Sequence, residues 1–284
     1  MTTISAKVIA HSMCEVSHNE IVTFQLRYPR WIHAEFMTHR QFSRNASSSR
    51  AVPVSRLIDD INEDPAIPLH WGKNQKGMQA DEECNNPIVI DSPYAPAPYM
   101  LDREQAWCKH MYDALEMARV FDKAGYHKQI VNRLLEPFSH INVVVTATEW
   151  SNFYALRDHK DAEPHIAMLA RAMREAHRNS VPIMLMKGMW HTPYANSGFT
   201  YSDMNMVKAS VARCARVSYL THEGTNPTLE EDLGLWKRLL DSKPLHASPA
   251  EHQATPDPYR EHPDKWGNFT GFVQYRKTLQ GECQ

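Results

Sequence analysis

The chain has 284 residues, 42% hydrophobic and 23% charged, with a formal net charge of −2. That composition is globular and excludes a disordered chain, and the missing basic excess argues against gripping a nucleic-acid backbone, so any phosphate bound should be small and local. Five cysteines without a Cys-x-x-Cys pair favour neither a disulfide framework nor structural zinc, and no basic leader or long apolar run is present, so the expectation is one cytoplasmic domain without a membrane span.

Residues 5–10 and 20–27 read as strands, the second alternating as Ile21-Val22-Thr23-Phe24-Gln25-Leu26 before Pro29 closes it. A helix is expected over Trp31 to Phe42, on which Glu35 and His39, four apart, share a face and look into one pocket. Residues 37–50, Met-Thr-His-Arg-Gln-Phe-Ser-Arg-Asn-Ala-Ser-Ser-Ser-Arg, concentrate His39, Arg40, Arg50 and the hydroxyls of Ser43, Ser47, Ser48 and Ser49. Guanidinium forks match phosphate oxygens and hydroxyls add short donors, so the segment suits an anion; a solvated basic turn is the plain alternative. Residues 64–98, rich in Pro, Asn and Gly, read as an insertion or lid. Helices follow at 100–122 and 126–136, then a strand at Ile141–Val145 that runs into a helix over Asn152–Arg157. The helix from Pro164 to His177 repeats Ile166, Leu169, Met173 and His177 as core packing, and Thr228 with Glu231 forms a capping box for a helix carrying Leu229, Leu233, Trp236 and Leu240. The tail Trp266–Tyr275 alternates like a strand. No Gly-x-Gly-x-x-Gly is present, His246, Glu251 and His252 lack zinc-ligand spacing, and the serines near His39 lack a nucleophile elbow.

Within residues 37–50, His39, Arg40, Ser43, Asn45, Ser48 and Arg50 resemble the signature of flavin-dependent thymidylate synthases, an Arg-His-Arg triplet followed by Ser, Asn, Ser and Arg. Thr38 stands where the first arginine is usual, and Ala46 where an acidic residue is usual. Arg133-Leu134-Leu135-Glu136-Pro137 and Asn152-Phe153-Tyr154-Ala155-Leu156-Arg157 resemble two further segments of the same family. Ala215-Arg216-Val217-Ser218 and His246-Ala247-Ser248-Pro249-Ala250-Glu251-His252 resemble two more, which in the family precede the triplet. The order here implies a circular permutation, which domains tolerate because their termini are often close together.

The resemblance implies an α+β fold, a mixed sheet flanked by helices, assembled as a homotetramer whose sites combine several subunits. It implies transfer of a one-carbon unit from methylenetetrahydrofolate to C5 of a pyrimidine deoxynucleoside monophosphate, with NADPH reducing a bound FAD. Arg157 would be catalytic, stabilising charge on the pyrimidine. Ser48, Ser49, Arg50 and Arg133 would hold the nucleotide, with Glu35 in place of a family glutamine. His39, Arg40, Asn152, Ser218, His246 and Ser248 would contact FAD. No cysteine has the Pro-Cys-His context of the folate-dependent thymidylate synthase. The reaction implied is dUMP to dTMP. Glu35 keeps dCMP hydroxymethylation open, since a carboxylate can accept from the amino group of cytosine. A non-catalytic flavin- or nucleotide-binding regulator is the alternative from another class.

Overall fold

The computed structural model describes residues 2–78, 80–91, 93–94, 96–195, 202–217 and 227–282. At its centre is strand β6 (His140–Ala147), where Ile141, Val143, Val144, Val145 and Ala147 are all buried. Such an apolar β-branched run suits a strand covered on both faces. Strands β2 (Glu20–Pro29) and β3 (Ser43–Ala46) flank β6 antiparallel; β1 (Ser5–Cys14) continues antiparallel to β2 and pairs in parallel with β7 (Ile183–Leu185). The order β3-β6-β2-β1-β7 is a mixed sheet. Helices α5 (Ser151–Arg157) and α6 (Pro164–Arg178) and the single turn α1 (His33–Phe36) cover one face, burying Phe24, Phe36, Val145, Phe153, Leu169 and Met173 together.

A second core joins α2 (Val54–Glu63), α3 (Arg103–Lys123) and α4 (Lys128–Val131) through Leu57, Ile61, Leu115, Val131 and Phe138. Towards the other face of the sheet, α7 (Met204–Arg216) brings Cys214 against Val144, and α8 (Leu229–Leu240) packs on α7. Strands β8 (Ala254–Pro256) and β9 (Phe272–Gln274) form a hairpin; β4 (Ile88–Ile90) and β5 (Tyr99–Leu101) form another at the end of the 64–98 segment. This is the α+β architecture that the sequence led us to expect. Among the described residues no helix is long and apolar enough to cross a membrane.

Three expectations need correction. The helix over 31–42 does not form: a 3-10 turn at Arg30–Ile32 leads into α1, which stops at Phe36. Its end is fixed by side chains. Thr38 Oγ1 donates to the Glu35 carbonyl at 2.7 Å, and Arg44 Nη1 donates to the carbonyls of Met37 (2.9 Å) and His39 (3.0 Å), satisfying acceptors that a continuing helix would have used. The chain then turns and adds β3 to the sheet edge. The 126–136 helix is α4 followed by a 3-10 stretch, Asn132–Phe138, containing Pro137, whose ring cannot sit in an α-helix interior. In the tail only Phe272–Gln274 is a strand, and Phe269 and Phe272 are buried in a small core with Cys14, Ile21 and Ala254.

Opposite α6 the sheet carries a line of buried polar groups. The Asn45 amide nitrogen donates to His252 Nε2 at 3.1 Å, and to the carbonyls of Ser248 (3.0 Å) and Arg44 (3.2 Å). His252 Nδ1 then meets Thr146 Oγ1 at 2.8 Å, Thr146 meets Thr23 Oγ1 at 2.7 Å, Thr23 meets His191 Nε2 at 2.8 Å, and His191 Nδ1 meets Ser12 Oγ at 2.8 Å. With Asn45 as donor, every proton in the chain runs the same way, ending on Ser12. One polar residue from each of β3, β6, β2 and β1 is thereby joined through two histidines.

Candidate active site

Arg157, the last residue of α5, reaches back to the segment after β2. Its Nε donates to His39 Nε2 at 3.0 Å, Nη1 to Glu35 Oε2 at 3.2 Å and Nη2 to Thr38 Oγ1 at 3.3 Å. Glu35 and His39 therefore do face one site, but by way of the turn at Met37 instead of a helical stripe. The fork of Arg157 holds three partners because its N–H groups are fixed in one plane. Burial, and then the charges of Arg157 and Arg44, lower the pKa of His39 to about 4. The imidazole is thus neutral at pH 7, with Nε2 as acceptor and Nδ1–H left to donate. Its ring stacks on Phe42 and meets Phe153 edge-on. Behind Arg157, Asp158 is fastened to Arg171 at 2.9 Å and to Arg174 at 2.6 Å, which anchors the end of α5 to α6.

A cavity of about 530 Å³ opens here, lined by Thr38 to Phe42 on one side and by Glu149, Ser151, Asn152, Phe153, Leu156 and Arg157 on the other. It brings together His39, Arg40, Asn152 and Arg157, four of the residues picked out from sequence, with Glu35 attached through Arg157. The Arg40 side chain is exposed and makes no hydrogen bond or ion pair among the described residues. Cation, amide and neutral imidazole stand against an apolar wall of Phe42, Phe153 and Leu156. That combination suits a planar heterocycle carrying an anionic tail.

The remaining sequence candidates form two further groups. Ser49 Oγ donates to Glu136 Oε1 at 2.9 Å, and Arg133 Nη1 donates to the same oxygen at 3.0 Å. Ser48 Oγ accepts from the Arg50 backbone N–H at 3.3 Å, while the Arg50 side chain extends outward without a partner among the described residues. His246 and Ser248 line a separate cavity of about 350 Å³ with Asn45, Leu245 and Arg276, so within one chain they do not join His39 and Arg40. Ser218 lies outside the described residues. His252 and Glu251 are engaged elsewhere, His252 with Thr146 and Glu251 with Arg276. All three groups border β3: its start follows Phe42, its end precedes Ser48, and Asn45 faces Ser248.

Sequence reasoning overlooked Arg44, Glu149 and Ser151. Arg44 belongs to the same basic segment, but its role depends on carbonyls whose positions only the turn reveals. Thr38, noted as a departure from the family triplet, contacts Arg157 directly.

A sequence model of the family described as thymidylate synthase complementing protein matches residues 4–183. No curated protein matches the chain. Among solved structures, the chain is similar to the UMP/dUMP methylase PolB from Streptomyces cacaoi bound with 5-Br UMP, at 14% identity and a TM-score of 0.44, covering 62% of this chain and 89% of that one. The same enzyme bound with 5-Br dUMP gives 15% identity and a TM-score of 0.44, with 62% and 90% covered. The family match spans well over half of the chain, including the turn of His39, Arg40 and Arg50 and the helix of Asn152 and Arg157, and the protein belongs to the thymidylate synthase complementing protein family.

Proposed function

We propose that the protein transfers a one-carbon unit from methylenetetrahydrofolate to C5 of dUMP, giving dTMP, with FAD as hydride carrier and NADPH as its reductant. The observation that carries this reading is the joining of Arg157 to Glu35, Thr38 and His39, which unites two segments 118 residues apart at the mouth of one cavity. The residues fit a flavin nucleotide: Arg40 for a phosphate, Asn152 and the free Nδ1–H of His39 for polar edges, and Phe42, Phe153 and Leu156 for a ring. Bound flavin would supply the hydride that turns the transferred methylene into methyl. Arg157 stabilises negative charge developing on the pyrimidine as C5 becomes nucleophilic, a task best done by a cation already oriented before reaction. Ser48, Ser49, Arg50 and Arg133 hold the nucleotide phosphate, which would displace Glu136 from Arg133.

The reading further assigns His246, Ser248 and Ser218 to the flavin site of a homotetramer, one subunit completing the cavity of another. Contact between Asn45 and the Ser248 carbonyl supports the permuted arrangement, in which the C-terminal third supplies what the family carries first. Residues 64–98 are then an insertion in a single domain. Four free thiols among the described cysteines suit a reducing, cytoplasmic compartment.

A second reading rests on Glu35. Its carboxylate, held 3.2 Å from Arg157 Nη1, offers an acceptor to the 4-amino group of cytosine, and the product would be 5-hydroxymethyl-dCMP, with water capturing the methylene. Incubating the protein with FAD, NADPH, methylenetetrahydrofolate and either dUMP or dCMP, then weighing the nucleotide, separates them. A dTMP mass from dUMP supports the first reading, and a hydroxymethyl mass from dCMP the second. Retained flavin without conversion of either nucleotide overturns both in favour of a binding protein.

A further inference from the structure

On the α6 face of the sheet, away from the cavity, His11, Glu20 and His177 converge. His11 lies on β1 and Glu20 on β2, where the register Ser12↔Ile21 and Met13↔Glu20 makes them diagonal neighbours; His177 sits in the last turn of α6. Their ligand atoms all lie within 4.8 Å of one another, with His11 Nε2 and His177 Nε2 each 3.7 Å from Glu20 Oε2.

Proton bookkeeping sharpens the point. Ser180 Oγ donates its single proton to the His177 carbonyl at 2.7 Å, so in its 2.7 Å contact with His11 Nδ1 it must accept. His11 is therefore protonated on Nδ1, and in the neutral ring Nε2 presents a bare lone pair. That atom is buried and has no hydrogen-bond partner, in a residue only 7% exposed, and it faces a carboxylate oxygen. Two acceptors confronting one another need a cation between them.

We propose that His11 Nε2, His177 Nε2 and Glu20 bind a divalent transition-metal ion of the zinc class. Zinc with bonds of about 2.0–2.2 Å sets tetrahedral ligands roughly 3.4 Å apart, so small rotamer adjustments close the site. Two imidazoles and one carboxylate match the ion's preference and leave a fourth position for water. Ser180 orients His11 from behind, as ligating histidines require. Glu20, with its side chain 40% exposed, gives the ion an entry path. The metal would clamp the C-terminal end of α6 to β1 and β2, independently of flavin or nucleotide.

The test uses the full chain stripped with chelator and titrated with Co2+ and Zn2+. Expected are one equivalent bound with tetrahedral Co2+ absorption, displaced by Zn2+, and a Zn2+-dependent rise in Tm. Glu20→Gln and His177→Ala should abolish the Co2+ bands, and Ser180→Ala should weaken binding by roughly 10–100-fold. Glu20→Gln changes a partly exposed side chain and is checked for folding by its Tm in chelator. Absence of the bands in wild type, or binding unchanged in both Glu20→Gln and His177→Ala, overturns the site.

Discussion

Lowering the pH from 7 to 5 should destabilise the protein chiefly through His191 and His252. Both are essentially solvent-free, and burial holds each pKa at about 3, with His11 and His252 adding to the effect on His191. In the unfolded chain each returns to about 6.5. Between these values the unfolded state binds more protons, so the stability is present above pH 6.5 and lost as pH falls towards 3. From pH 7 to 5 the linkage integral gives about 2 kcal/mol per histidine, about 4 kcal/mol for the pair, a large part of a typical total of about 5–15 kcal/mol. His33, His39 and His140, each lowered to about 4 by burial first, push the same way but are less enclosed. Urea unfolding at several pH values measures the slope in wild type and in His252→Gln, whose amide can donate and accept but does not titrate. The variant should lose about half of the pair's contribution to the slope. Equal slopes in wild type and variant, or stability unchanged between pH 7 and 5, would refute the assignment of neutral, buried histidines.

Arg157→Ala should reduce kcat far more than it weakens nucleotide binding, because its charge matters most in the transition state, whereas Arg50→Ala should mainly raise KM; steady-state kinetics showing equal kcat losses would remove both roles. Glu35→Gln should cost about 1–3 kcal/mol in kcat/KM on dCMP and spare dUMP, and an unchanged ratio between the two nucleotides would eliminate Glu35 as the discriminator. Arg44→Met should leave the carbonyls of Met37 and His39 without their donor, lowering stability by about 1–3 kcal/mol and loosening flavin binding, as urea unfolding and flavin titration would reveal.

What the sequence made legible was whatever local chemistry decides. The capping box of Thr228 and Glu231 is in place, and the apolar stripe of α6 is buried as its spacing required. β1, β2 and β6 appear where alternation or β-branched runs placed them, each somewhat longer than expected. α7 went unread although Val207, Val211 and Cys214 recur at helical spacing. Ser43–Ala46 has no strand propensity at all and becomes β3 because β6 offers an edge to pair with. The site shows the same division. The segment holding His39 and Arg40 was recognisable, but the fork of Arg157 onto Glu35 and Thr38 depends on how Arg44 ends α1, and that contact spans tertiary distance. His11, Glu20 and His177 carry no sequence signature, since sheet register and a helix end bring them together.

The polar line across the sheet also bears on how strands find their partners. Side chains of a strand alternate between faces, so a slip of one residue at any of three pairings would carry Ser12, Thr23, Thr146 or Asn45 to the opposite surface. Hydrophobic residues on a strand such as β6, apolar on both sides, would barely register the error. His191 and His252 would, because each would then be sealed in without an acceptor or donor, at about 1–3 kcal/mol per orphaned group. The line works as a combination lock: burial tolerates several alignments of these four strands, and only the native one gives every hydroxyl and imidazole a neighbour.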